Sequence, residues 1–219
     1  MGIKLIARLA AVASALIGVS ILAWIFYPIL VHELKAPPTL TFLSPIPDNE
    51  ENDKMGALDY TKASSWFPKA RKTNFEKTKV SSYRLSISRL NIKNAIVSIG
   101  GEDLSQSLIQ YPGTAIPGQI GNTVIFGHSV LPAFYNPSNY LTIFSTIPTL
   151  VKGDVITLDY DGITYKYEVE EYFEVDPSDI QILNQDDNDS YLTLVTCVPP
   201  GLTTRRGIIR AKIVPVRST

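Results

Sequence analysis

Twenty-three positions from Leu9 to Val31 (LAAVASALIGVSILAWIFYPILV) pass without a charged side chain. At about 1.5 Å of rise per residue, a helix of this length crosses a hydrocarbon layer of about 30 Å. Lys4 and Arg8 precede the run, and Glu33 and Lys35 follow it. That bias predicts a cytoplasmic N-terminus over 1–8, a transmembrane anchor over 9–31, and an extracytoplasmic location for everything after His32. A cleaved signal peptide has a shorter apolar stretch, and the Ala-Ser-Ala triplet at 13–15 falls mid-span, so the pattern favours an uncleaved anchor in the cell membrane. Trp24 and Tyr27 suit the outer interfacial belt.

Beyond the anchor the pattern changes twice. Residues 32–80 carry Pro37, Pro38, Pro45 and Pro47 among polar positions, with no apolar period through DNEENDK (48–54), and read as an extended linker. Within it, 58–75 holds Trp66, Phe67 and Phe75, which are costly to leave in water. The expectation is a short helix or hooked segment packed on the folded domain, with a lid over a functional site as the alternative. From about Ser81 to Thr219 the signals are those of strands. YRLSISRL alternates, NAIVSIGG ends in paired glycines, and DVITLDYDGITYKYEVEEYFEV (154–175) centres on Asp161-Gly162, a favoured hairpin dipeptide. SYLTLVTC and RGIIRAKIVPV supply two more strands, and EDLSQSLIQ (102–110) suggests one short helix. Many short strands and little helix indicate an antiparallel sandwich or a small closed barrel.

Charge alters this picture little. The formal net charge is −1, which gives no reason to expect nucleic acid. The part up to Lys79 has 10 Lys+Arg against 7 Asp+Glu and the remainder 10 against 14, a modest basic bias in a solvated linker. Cysteine usage alters it more. An exported protein normally pairs its cysteines, yet Cys197 is the only one in the chain. It closes an apolar strand just before VPPG, a stretch that cannot continue a ladder, and the end of a strand suggests the rim of a barrel. A cysteine nucleophile needs a base or cation beside it. Of the two histidines, His32 lies at the membrane exit, while His128 follows an apolar strand and Gly127. Arg205 and Arg206 lie on the next strand after Cys197. Alternation lets only one of them share the thiol's face.

These residues resemble the sortases, membrane-anchored cysteine transpeptidases of Gram-positive bacteria. The resemblance rests on TLVTC (193–197) followed by TTRRGIIRAKIV, on GNTVIFGHS (121–129), on the approach YPGTAIPGQIGN (111–122), and on the order of these motifs behind an N-terminal anchor. It spans roughly Arg84 to Val214. It implies an eight-stranded sortase-like β-barrel, all-β with one or two short helices. It further implies Cys197 as nucleophile, His128 as general acid/base, Arg206 as the oxyanion or substrate donor with Arg205 the alternative, and Thr196 as an aid to substrate binding. The implied substrates are proteins with Leu-Pro-x-Thr-Gly-like C-terminal signals. The implied acceptor is an amine of a peptidoglycan precursor or of a pilin lysine. Two departures stand out: Ser88 replaces a proline usual in ISRL-like segments, and the connection 130–150 is unusually aromatic. No second apolar span of the kind some pilus-building relatives possess is present in the sequence near its C-terminus.

No helix opens at Cys197, so arginine and histidine must supply any positive field at the thiol, and a mostly neutral Cys–His pair is expected. Carboxylates that could suggest calcium stand at Asp186, Asp187 and Asp189 and at Glu168, Glu170, Glu171 and Glu174. The acidic loop lacks the glycine and terminal glutamate of an EF-hand, so no cofactor or metal is expected. The competing reading is a catalytically inactive sortase-like barrel serving wall binding or adhesion. An L,D-transpeptidase is disfavoured because its Ser-His-Gly-Cys pattern is absent.

Overall fold

A computed structural model describes residues 2–35, 59, 61–67, 80–185 and 188–215. The chain divides into two units, 1–36 and 37–219. The first is one helix, α1 (Ile3–Lys35), whose segment Arg8–Val31 is long and apolar enough to cross a membrane.

The second unit contains eight strands: β1 (Ser82–Ile87), β2 (Ile92–Ile99), β3 (Leu108–Gln110), β4 (Gly121–Phe126), β5 (Val155–Tyr160), β6 (Ile163–Val175), β7 (Ser190–Val198) and β8 (Arg205–Ile213). They close into a barrel in the order β1-β2-β3-β4-β7-β8-β6-β5. The β2–β3 and β4–β7 pairs are parallel, and the other pairs are antiparallel. The β5–β6 hairpin turns at Asp161-Gly162, both at positive φ (49° and 78°), as the sequence predicts for a primed turn.

The expected helix over 102–110 does not form. The Asp103 carboxylate accepts the Ser105 amide and hydroxyl and the Gln106 side chain, holding a tight turn that competes with helical bonding. The following residues then enter the sheet as β3, beside β4. Among the described residues, the short helices of the barrel unit are instead 3₁₀ turns, at Ala63–Ser65, Ser88–Leu90, Pro132–Phe134, Ile147–Thr149 and Ile180–Leu183.

Alternate residues along the strands feed two separate apolar clusters. One draws side chains from all eight strands, among them Leu85, Val97, Leu108, Ile125, Leu158, Val169, Leu194 and Ile209, and fills the barrel interior. The other takes Ile109, Val124, Phe126, Phe173, Val195, Cys197 and Ile208 from β3, β4, β6, β7 and β8 only. It therefore lies on the outer wall, where Ala63, Trp66, Phe67 and Ile182 cover it. Position alternation thus assigns Cys197, the next-to-last residue of β7, to the outside of the barrel wall and not to its interior.

Candidate active site

In the β7–β8 register Cys197 stands directly opposite Arg206, and Val198 opposite Arg205. Directly paired residues of antiparallel strands share a face. Arg206 therefore lies on the outer wall with the thiol, together with Val175 of β6, its partner on the other side. Arg205 turns to the opposite face, where its Nε meets Glu174 at 3.3 Å. Glu174 is fully buried and also accepts the Tyr172 hydroxyl at 2.8 Å. The two adjacent arginines are thus committed to different surroundings by alternation alone.

His128 follows β4 where that strand runs parallel to β7. Phe126 pairs with Val195, and the Gly127 amide then donates to the Val195 carbonyl at 3.1 Å. The Thr196 hydroxyl donates to the Gly127 carbonyl at 3.0 Å, and the Ser129 hydroxyl donates to the Cys197 carbonyl at 2.6 Å. Bonds on both sides of His128 therefore tie its backbone to the end of β7 that carries Cys197. A side chain at Gly127 would collide with Phe144 and Leu108, with a Cβ at 2.5 and 2.6 Å from their carbons, so the close approach requires glycine. Thr196 is buried and faces away from Cys197. Its hydroxyl fixes the histidine connection instead of sharing the thiol's face.

The outer wall at this point is covered. Residues 61–67 form a short antiparallel bridge with 102–104, in which the Ala63 amide donates to the Glu102 carbonyl and the Leu104 amide to the Thr61 carbonyl, both at 3.0 Å. The Ser64 amide donates to the Glu102 carboxylate at 3.2 Å. Trp66 then stacks on Phe126, with ring centroids 5.4 Å apart, and lies 5.9 Å from the His128 ring. The Arg206 guanidinium sits 5.4 Å from the Trp66 ring centre and donates to the Trp66 carbonyl at 3.2 Å and to the Thr203 carbonyl at 3.0 Å. Beneath this cover Cys197 is 5% exposed and Arg206 1%. Of the stretch 58–75 expected to pack on the folded domain, residues 59 and 61–67 are described, and 61–67 make the contacts above. The rest of that stretch lies outside the described residues.

Burial pushes the Cys197 thiol up, and Arg206 only partly pulls it back. Burial pushes the His128 imidazole down, partly opposed by Asp103. Its Nε2 is enclosed and makes no hydrogen bond. Both directions favour the neutral thiol and neutral imidazole while the cover is in place. Of the acidic residues weighed for calcium, Asp189 pairs with Lys212 at 2.5 Å and Glu174 with Arg205, while Asp186 and Asp187 lie outside the described residues. Among the described residues, no three His, Cys, Asp or Glu side chains gather as a metal site.

Three features went unread in the sequence. Ser129 clamps the Cys197 carbonyl. Glu174 holds the second arginine. Asn122 and Gln185 join β4 to the segment before β7. Only the last had a legible signal, the Gly-Asn that opens GNTVIFGHS.

The family model described as Sortase domain matches residues 85–214, more than half of the 219-residue chain. No curated protein is similar enough in sequence to count as a match. Among solved structures, the barrel is similar to a sortase D5 transpeptidase of Clostridium perfringens, with 26% identity over 64% of this chain and 82% of that one and a TM-score of 0.53. It is similar to a lid mutant of sortase A from Corynebacterium diphtheriae, with 27% identity, coverage of 73% and 79%, and a TM-score of 0.54. A third is sortase C1 of Streptococcus agalactiae, with 27% identity, coverage of 69% and 74%, and a TM-score of 0.54.

Proposed function

The chain belongs to the sortase family, and from that premise we propose that it is a membrane-anchored cysteine transpeptidase with Cys197, His128 and Arg206 as its catalytic residues. The observation that carries this reading is the pairing of Cys197 with Arg206 on one outer wall, next to a histidine connection bonded to β7 on both sides. The substrate is a protein bearing a Leu-Pro-x-Thr-Gly-like signal. Cys197 gives its proton to His128 and its Sγ attacks the threonine carbonyl, and the C–N bond to glycine breaks as His128 passes that proton to the departing amine. A second amine, from a peptidoglycan precursor or a pilin lysine, attacks the thioester and gives up its proton to His128, while the thiol is released. Arg206 donates to the carbonyl oxygen as it gains charge, a position now taken by the Trp66 carbonyl. Any contact of Thr196 with substrate is through its backbone, since its hydroxyl is engaged by Gly127.

Because the thiol is 5% exposed, residues 61–67 act as a lid that must swing off before substrate enters. The burial of the sulfur is also what favours the rival reading, an inactive barrel used for wall binding. Both are tested by exposing the full chain in detergent to a thiol reagent and to a Leu-Pro-x-Thr-Gly peptide with an added amine. The transpeptidase reading expects cleavage and an amine-linked product, both lost in Cys197→Ala. A folded protein whose Trp66→Ala variant still neither reacts nor cleaves supports the inert barrel.

A further inference from the structure

The Gly-Asn pair ahead of the histidine motif has no part in the chemistry above, yet Asn122 is completely buried on the outer wall. Along β4 that wall reads Asn122, Val124, Phe126, and along β7 it reads Thr193, Val195, Cys197. The reactive end and the Asn122–Thr193 end therefore terminate the same stripe. The Thr193 hydroxyl donates to Asn122 Oδ1 at 2.7 Å. Asn122 Nδ2 donates to the Ile182 carbonyl at 2.9 Å and to the Asn184 carbonyl at 3.4 Å. Gln185 completes the junction, its Oε1 accepting the amides of Asn122 and Ala115 at 3.0 Å each and its Nε2 donating to the Leu183 carbonyl. The segment held in this way places Ile182 over the outer cluster that includes Cys197.

We propose that Asn122 is a positioning residue for the substrate groove: its amide anchors the 180–185 segment as the groove's apolar wall, and so sets the affinity for the peptide. This rests on the transpeptidase reading for its kinetic consequence, but not for the anchoring itself. The amide suits the task because one side chain must accept from Thr193 and donate to two carbonyls of the segment. Aspartate could do the first and would repel the carbonyls. Leaving buried carbonyls unpartnered is what loosens the segment.

The test uses the full chain and four variants: Asn122→Ala, Asn122→Asp, Thr193→Val and Gln185→Ala. Gln185 is exposed, so its replacement keeps the experiment informative if the Asn122 variants fail to fold. Hydrogen exchange at 180–185 is expected to speed up about tenfold in folded Asn122→Ala and Asn122→Asp while strands β1, β2 and β5 are unchanged. KM for the peptide is expected to rise about tenfold with kcat within about threefold, the split that weakened binding without lost chemistry produces. Gln185→Ala and Thr193→Val should move both readings the same way by less. Unchanged exchange at 180–185 in folded variants overturns the proposal, as does a fall in kcat at constant KM. If the unaltered chain cleaves no peptide, the transpeptidase reading fails, and the exchange result alone decides the anchoring.

Discussion

Adjacent arginines on β8 serve opposite ends here, and substitution separates them. Arg206 shares the thiol's face, so on the transpeptidase reading Arg206→Ala is expected to lower turnover by about 10²–10³, the usual cost of losing an oxyanion donor. Arg205 instead balances a carboxylate with no exposure to water. Arg205→Ala removes the cation beside that buried charge and is expected to cost about 3–5 kcal/mol of stability, read from denaturant midpoints. Arg205→Ala with Glu174→Gln should recover much of the loss. The imidazole gives a pH signature. Its folded value lies below the ordinary 6.5 because burial disfavours the cation. The folded state therefore binds fewer protons than the unfolded state, and this contribution to stability is present above 6.5 and lost as pH falls through the lowered value. Stability should decline on acidification below 6.5, and His128→Asn should flatten that slope.

At the scale of elements, the decisive one is the seven-residue cover, 61–67. Its hold on the wall combines two bridge hydrogen bonds, the Trp66–Phe126 stack and the Arg206 contact to the Trp66 ring. The ring contacts are together worth about 1–3 kcal/mol. Trp66→Ala is thus expected to raise the rate of Cys197 alkylation by roughly tenfold or more, since each 1.4 kcal/mol shifts the open population by about tenfold. The thiol's pH profile should move to lower pH in the same variant. The burial that raises its titration point is then gone while Arg206 remains. A profile that stays in place shows that Trp66 is not what dries the site.

For the whole molecule, the helix and the barrel are separate compact units. Deleting residues 1–36 is expected to release the protein from a membrane fraction at alkaline pH while leaving peptide cleavage per active site within about threefold, because the proposed catalytic residues His128, Cys197 and Arg206 all belong to the other unit. Retention of the shortened chain in the membrane pellet would assign anchoring to the barrel unit.

Along the chain alone, only what local physics controls is legible. An uncharged 23-residue run specifies a helix long and apolar enough to span a membrane, strict alternation specifies strands, and Asp161-Gly162 specifies a hairpin. The motif resemblance was enough to nominate Cys197, His128 and Arg206, and alternation said that only one arginine could share the thiol's face. Tertiary structure decided the rest, because those choices depend on pairings between distant segments. Parallel pairing of β4 with β7 sets Gly127 and Ser129 against Thr196 and Cys197, 68 or 69 residues away. Barrel closure then put the thiol, at the end of β7, on the outer face of the wall. It also turned 102–110 from a helix into a turn and an edge for the cover, since the pairing with β4 and with residues 61–63 outweighed a weak local helical preference. No local pattern reveals that Trp66 will lie over a histidine 62 positions further on, because burying a ring is a decision of the assembled wall.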